Sequence, residues 1–259
     1  MAKSIGIVFL LGLAQLFWSQ GLWASEIPDF SANYLVKLNG LQAGELKRTL
    51  KTNADGTRLF SSETEAKGVF SLFKPDLVTE TSLWKSQDNT IRPLKYLYKR
   101  SGGKKEKFMQ LDFDWQQNTL HIDDKQHPWS LKLKQNTLDK LVYQISLMAD
   151  LTEEKSTFSY QIADGGKLKT YDIELKGHEV ITTPLGKIDT IKLSRHRDDP
   201  KGRETVLWCA PALNYLPVML EHSEKGGAVF TAVLRQLKGI AIADAFEPLQ
   251  PTTKSGFIP

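Results

Sequence analysis

The sequence predicts an all-β protein built as one strongly curved antiparallel sheet or open β-barrel, with one central amphipathic helix. Three observations predict it. Apolar and polar residues alternate with period two through most of the chain from Tyr34 onward. Turn signals rich in Asn, Asp and Gly punctuate that alternation roughly every eight to twelve residues, the rhythm of a sandwich or barrel. One segment, near 137–150, switches to helical spacing. The chain has 259 residues, 41% of them hydrophobic, enough for a single β domain over 25–245 to bury a core without staples.

Tyr34 to Leu38 opens the pattern and runs into Asn39-Gly40, a strong hairpin signal because both residues tolerate positive φ. Gly44 to Leu50 is its natural partner strand. Asn53-Ala54-Asp55-Gly56 then turns the chain into Thr57 to Ala66. Strands follow at Asp76 to Ser86, Pro93 to Arg100, Lys105 to Asp114, Thr119 to Asp123 and His127 to Lys134. The turns between them fall at Asp88-Asn89, Gly102-Gly103, Gln117-Asn118 and Asp124.

Asn136 or Thr137 supplies an N-cap for the helix. Leu138, Leu141, Val142, Ile145, Met148 and Ala149 form its apolar face, and Asp139, Lys140, Gln144 and Ser146 the opposite one. Leu151-Thr152 ends it. A lone helix in a β protein docks its apolar face on the sheet or plugs a barrel mouth; a lid over a binding site is the functional alternative. Strands resume at Ser156 to Ala163, turn at Asp164-Gly165-Gly166, and continue through Lys167 to Lys176. Gly177 to Thr183 and Lys187 to Arg195 form a hairpin across Pro184-Leu185-Gly186. Glu204 to Cys209, Leu216 to Glu221 and Ala228 to Leu237 complete the set. Phe246 to Pro259 has three prolines and no periodicity, the composition of a flexible tail.

The N-terminus predicts export. Lys3 supplies a short positive segment, Ile5 to Trp18 an apolar run, and Ala24 and Ser25 small residues, in the order of a secretory signal peptide. Cleavage after Ala24 is the expectation, although Leu22 is a poor residue three positions before a cut and the site stays open between Gly21 and Ser25. An uncleaved anchor is the alternative, but the run is short for a permanent span. No second run is long enough to cross a bilayer, so the mature chain is expected in the periplasm with no transmembrane span.

The formal charge is +4, with basic and acidic residues interspersed. One cluster stands out, Lys99-Arg100-Ser101-Gly102-Gly103-Lys104-Lys105-Glu106-Lys107. It reads as a solvated hairpin tip, or functionally as a contact for anionic lipid head groups or polysaccharide. Nucleic acid is excluded as a partner by export and by the absence of any recognition motif. Cys209 is the only cysteine, which rules out an intramolecular disulfide. Between Trp208 and Ala210 it reads as a small buried hydrophobe rather than a catalytic thiol.

His178-Glu179-Val180-Ile181-Thr182 offers half of the zinc signature H-E-x-x-H. That motif needs two histidines one helical turn apart, and position 182 is Thr. The flanking Val, Ile and Thr residues read as a strand, on which His178 and Glu179 face opposite ways. His121, His127, His196 and His222 have no metal-ligand spacing to one another. His196 near Asp198 and Asp199 leaves a hydrolase reading open, but the chain lacks a G-x-S-x-G elbow and the βαβ framework it requires. No phosphate loop and no dinucleotide motif is present, so no cofactor is expected. What remains is aromatic: Trp84, Trp115, Trp129, Trp208, Phe113, Tyr96, Tyr98 and Tyr215 lie on or beside strands. They either fill a core or line an interior that holds an apolar, lipid-like ligand.

Several stretches, in order, resemble a bacterial exported family catalogued as a domain of unknown function (number 3108). They are FSANYLVKLNGLQAGEL, IRPLKYLYKR, FDWQQNTL, LDKLVYQISLMADL, GHEVITTPLGKIDTIKLSR and LWCAPALNYLPVMLEHSEKGG, together reaching from Phe30 to Leu237. The resemblance implies an envelope protein with a curved antiparallel sheet, and no catalytic residues. Cys209 departs from it, since an apolar residue other than cysteine is expected after the tryptophan. Arg92 and Glu179 look like the polar members of the shared pattern, in a binding role or in a structural ion pair or turn hydrogen bond. The candidate ligand-binding residues are thus Arg92, Trp115, Glu179, Trp208 and Tyr215. Three readings follow: a non-enzymatic holder of an apolar ligand, a structural or partner-binding envelope protein whose partners stay unnamed, and the hydrolase around His196.

Overall fold

The computed structural model describes residues 27–249, apart from 74, 89, 104–105, 197–202 and 225. The leader segment, the Asp198-Asp199 pair, the Lys104-Lys105 part of the basic cluster and the end of the tail lie outside the described residues, as does the side chain of His196.

Fifteen strands form one sheet. They are β1 (Phe30–Leu38), β2 (Leu41–Thr52), β3 (Arg58–Ala66), β4 (Leu77–Gln87), β5 (Thr90–Ser101), β6 (Lys107–Asp114), β7 (Thr119–Asp123), β8 (Trp129–Lys132), β9 (Leu138–Asp139), β10 (Phe158–Asp164), β11 (Lys167–Thr183), β12 (Gly186–His196), β13 (Glu204–Ala210), β14 (Leu216–Ser223) and β15 (Val229–Lys238). Two short helices interrupt them, α1 (Val69–Phe73) and α2 (Tyr143–Thr152). The spatial order runs from β8 back to β1, crosses to β15, and then runs back to β9. The sheet is therefore two meanders joined by one antiparallel ladder between β1 and β15, in which Ser31 faces Lys238. Every other ladder is antiparallel except β9 against β10.

Local chemistry explains the meander. At the first hairpin Asn39 and Gly40 have φ of 48° and 82°, the pair of positive values that a twist-compatible two-residue turn requires. Period-two alternation then places Phe30, Ala32 and Tyr34 of β1, Leu46 and Leu50 of β2, and Phe60 of β3 in the core. They meet Trp84, Leu111, Leu120 and Ile122 from the following strands, and Ile145, Leu147 and Met148 from α2.

The curvature brings the two sheet ends together without a ladder between β8 and β9. Side chains make the join. Ser82 on β4 donates to the carboxylate of Asp139 on β9. The indole N–H of Trp129, on β8, donates to the carbonyl of Gly166 in the β10–β11 turn at 3.3 Å. The result is the open, barrel-like sheet that the alternation predicts.

The helix begins later than its spacing suggests. Leu138 and Asp139 pair in parallel with Ile162 and Ala163, and α2 starts at Tyr143. The reason lies in Asp139. Its Oδ1 accepts the backbone N–H groups of Leu141 and Val142, both at 2.8 Å, and so caps the turn that leads into the helix. Asp139 is completely buried and Gln144 nearly so. Two residues of the polar face thus point into protein. Helix α1 carries no periodic signal in five residues, and the sequence does not announce it. The segment around His178 is part of β11, with His178 opposite Ile191 and Glu179 opposite Thr190, so it is a strand and not a helix. Phe246 packs on the core and Glu247 bridges Lys187 through two backbone hydrogen bonds.

Candidate functional site

The interior is filled at one end and open at the other. The open end is where β1, β3, β5, β10, β12 and β14 finish and their partners begin. There the concave face holds a cavity of about 440 Å³, within the roughly 300–1,000 Å³ range in which proteins hold small molecules. Val36, Leu46, Leu141, Leu207 and Leu220 give it apolar walls. Arg48, Glu80, Lys140, Asp164 and Arg195 add charge. A second hollow of about 430 Å³ adjoins it, with Tyr96, Tyr98, Phe108 and Met109 on its walls. Lys140 and Asp164 belong to the lining of both.

Most of the charge in the cavity is paired. Lys140 Nζ lies 3.1 Å from Glu80 and 4.6 Å from the centre of the Tyr98 ring. The Tyr96 hydroxyl donates to the same Glu80 carboxylate at 2.5 Å. Burial, then the charge and hydrogen bond of Glu80, push the Tyr96 hydroxyl far above the usual phenol range. Asp164 accepts from Lys169 at 2.6 Å and from the Tyr171 hydroxyl at 3.0 Å. Burial works to raise the Asp164 pKa, but the hydrogen bonds and charge of these partners outweigh it and hold the carboxylate ionised below its ordinary range.

The two arginines differ. Arg48 leaves β2 on the inward-facing side between Leu46 and Leu50 and is 8% exposed. Its Nη1 donates to Gln144 at 2.7 Å, and its guanidinium carbon lies 5.8 Å from the Tyr34 ring centre. Arg195 near the end of β12 donates from Nη2 to Thr205 at 3.1 Å, with its guanidinium 4.0 Å from the Tyr171 ring centre. The Nε of each is buried and has no hydrogen-bond partner.

Asp139 sits behind the cavity, under Ser82. Desolvation pushes its carboxyl up to about 6, against the lowering pull of the Ser82 and backbone hydrogen bonds. Cys209 is completely buried, and desolvation pushes its thiol well above the ordinary range. Among the described residues no cluster of three His, Cys, Asp or Glu side chains is placed to hold a metal ion. Among them, too, no helix is long and apolar enough to cross a membrane.

The residues expected from the sequence to touch a ligand lie away from this cavity, four of them in two groups and Tyr215 apart from both. Arg92 lies over the Trp115 ring at 5.6 Å, and the Trp115 indole donates to the carbonyl of Pro93 at 2.7 Å. Trp208 points away from Leu207 and donates its indole N–H to Glu179 at 2.9 Å. Lys192 completes that group, 3.1 Å from Glu179 and 5.0 Å from the Trp208 ring centre. Tyr215 follows a single 3₁₀ turn at Pro211–Leu213 and has a φ of 56°. The cavity residues Arg48 and Arg195 were not among the expected ones. Their signal was a cation on the apolar side of an alternating strand, in Leu46-x-Arg48-x-Leu50 and in Leu193-x-Arg195.

The family model described as a protein of unknown function (DUF3108) matches residues 33–235. No curated protein sequence matches the chain. Among solved structures, the chain is similar to a β-barrel-like protein of the domain of unknown function DUF1849 from Brucella abortus. The TM-score is 0.54 at 11% identity, over 83% of this chain and 99% of that one. That likeness supports the fold alone. MucB in complex with MucA, and the MucA/MucB complex from Pseudomonas aeruginosa, each align over 86% of this chain and 92% of theirs, at 8% identity. Their TM-scores of 0.17 are too low to bear on the fold.

Proposed function

The chain belongs to the DUF3108 family of proteins of unknown function, and we propose that it is a non-enzymatic protein of the bacterial envelope that holds one lipid-like molecule in its concave cavity. The observation that carries this reading is the cavity itself, an apolar-walled hollow left open at one end of an otherwise filled sheet. Two further features support it. The signal-peptide pattern at the N-terminus supports export of the mature chain to the periplasm. The open end of the sheet also carries apolar residues exposed to solvent, Leu41 beside the first hairpin and Val69 and Leu72 on α1, at 66%, 68% and 79% exposure. An apolar rim of this kind suits transfer of a greasy molecule from a membrane or another protein.

The test is native mass spectrometry of the protein purified gently from the envelope of its own host, followed by organic extraction. The expected result is a stoichiometric mass excess, released on denaturation, that extraction identifies as a lipid. A chain that carries no such mass and takes up no detergent-solubilised envelope lipid overturns the reading. The same exposed rim would then favour a partner-binding role.

A further inference from the structure

We propose that the cavity recognises the anionic head of its ligand, a carboxylate or phosphate group, through Arg48 and Arg195. This rests on the ligand-holding reading above and specifies the chemical class of the ligand.

A guanidinium withdrawn from water loses several kcal/mol of hydration, and proteins offset this by pairing it with a carboxylate. Two other arginines follow that rule. Arg58 lies 3.2 Å from Asp29, and Arg100 pairs with Asp76. Arg48 and Arg195 do not follow it. Among the described residues neither has a carboxylate within ion-pair distance, and each makes one hydrogen bond, to a neutral oxygen of Gln144 or Thr205. Instead, aromatic rings flank both guanidinium planes, Tyr34 beside Arg48 and Tyr171 beside Arg195. That geometry fixes the planes while leaving donor nitrogens unused.

The two meet the same element. Gln144, which holds Arg48, follows Tyr143 at the start of α2, and the Tyr143 ring centre lies 6.0 Å from the Arg195 guanidinium. Both arginines line the one cavity. The nearby carboxylates are occupied, Glu80 by Lys140 and Tyr96, and Asp164 by Lys169 and Tyr171. Glu221 is also on the wall, and among the described residues it forms no ion pair with either arginine. The missing counter-charge therefore comes from the ligand. Arginine matches the oxygens of a carboxylate or phosphate with two parallel hydrogen bonds. Leu46, Leu141, Leu207 and Leu220 beside these positions receive the alkyl part.

Isothermal titration of the mature chain with dodecanoate, dodecyl phosphate and dodecanol tests this. The expected result is that at least one anion binds tenfold or more tightly than the alcohol, the span of a charge-assisted hydrogen bond. Arg48→Gln and Arg195→Gln should each remove most of that preference and leave dodecanol affinity within about twofold. A preference for dodecanoate points to free fatty acids, and one for dodecyl phosphate to phosphate-headed lipids. Equal binding of all three by the wild-type chain overturns the head-group assignment while leaving the ligand-holding reading intact. Binding of none of them overturns both. The selectivity of the wild-type chain decides the matter even where a variant fails to fold. Where Arg48→Gln folds, it should melt no lower than the wild type without ligand, because it removes a buried cation that lacks a counter-charge among the described residues.

Discussion

The buried hydroxyl of Ser82 donates a hydrogen bond to the carboxylate of Asp139, 57 residues further along the chain. That bond ties β4 to the strand at the far edge of the same sheet, and it makes Asp139 at once a seam and a helix cap. Burial favours its neutral acid, so the folded protein holds a proton that the unfolded chain, with a pKa near 3.8, has already released. Folding stability should therefore fall as pH rises from 3.8 to about 6 and stay level above that. The full change is on the order of 3 kcal/mol. Asp139→Asn, whose amide can accept the same backbone N–H groups, should flatten this slope. Urea unfolding at several pH values measures it, and a slope that survives in the variant would assign the proton elsewhere.

Gly166 has a φ of 69°, and a Cβ there would stand 2.2 Å from Cζ2 of Trp129. Gly166→Ala therefore meets both an unfavourable backbone and a large ring that seals the seam. A loss of about 2–4 kcal/mol in chemical unfolding is expected, with a change in tryptophan emission as Trp129 is displaced. An unchanged midpoint would show that the seam is not closed by this contact.

The Cys209 thiol should resist modification in the folded protein. It is fully buried and burial holds it in the protonated form, which does not attack disulfide reagents. Labelling with a thiol reagent should become fast only in denaturant, at a midpoint matching unfolding by fluorescence. Rapid labelling of the folded chain would mean that β13 opens locally.

Glu179→Ala should leave the Trp208 indole N–H without its acceptor and cost about 1 kcal/mol. Anion affinity in the cavity should be untouched. The Trp208 hydrogen bond and then Lys192 hold the Glu179 pKa below its ordinary value. Its small stabilising contribution is therefore present above pH 4.5 and fades as the pH falls through the depressed value. A fall in ligand affinity in this variant would restore Glu179 and Trp208 as ligand-binding residues.

Much of the sheet was legible in the sequence because its strands alternate and its turns carry Asn-Gly, Asp-Gly-Gly and Pro-Leu-Gly. The start of α2 was not, because Asp139 reads as the solvent side of a helix and is in fact a buried cap. The same error of parity concealed the site. Arg48 and Arg195 occupy inward positions, where a charged residue contradicts the alternation around it. Read strictly, that contradiction marks a place where local consistency is given up for function. The contacts across the seam have no local signal at all, since Trp129 and Gly166 meet only through the curvature of the whole sheet.

The ladder between β1 and β15 has a consequence for how the molecule could be rewired. Asn33 and Gln236 are 203 residues apart in sequence yet joined by a side-chain hydrogen bond across adjacent strands. Every other antiparallel ladder links strands that are consecutive in the chain. The polypeptide is in effect a ring cut at the one place where its strand order closes on itself. Joining Lys238 back to Phe30 through a short linker, and opening the chain between β8 and β9, would place all fifteen strands in sequence order. Such a circular permutant has no ladder between strands distant in the chain, and only the side-chain seam joins its two ends. It should fold faster than the natural chain, while leaving the arginine-lined cavity as it is.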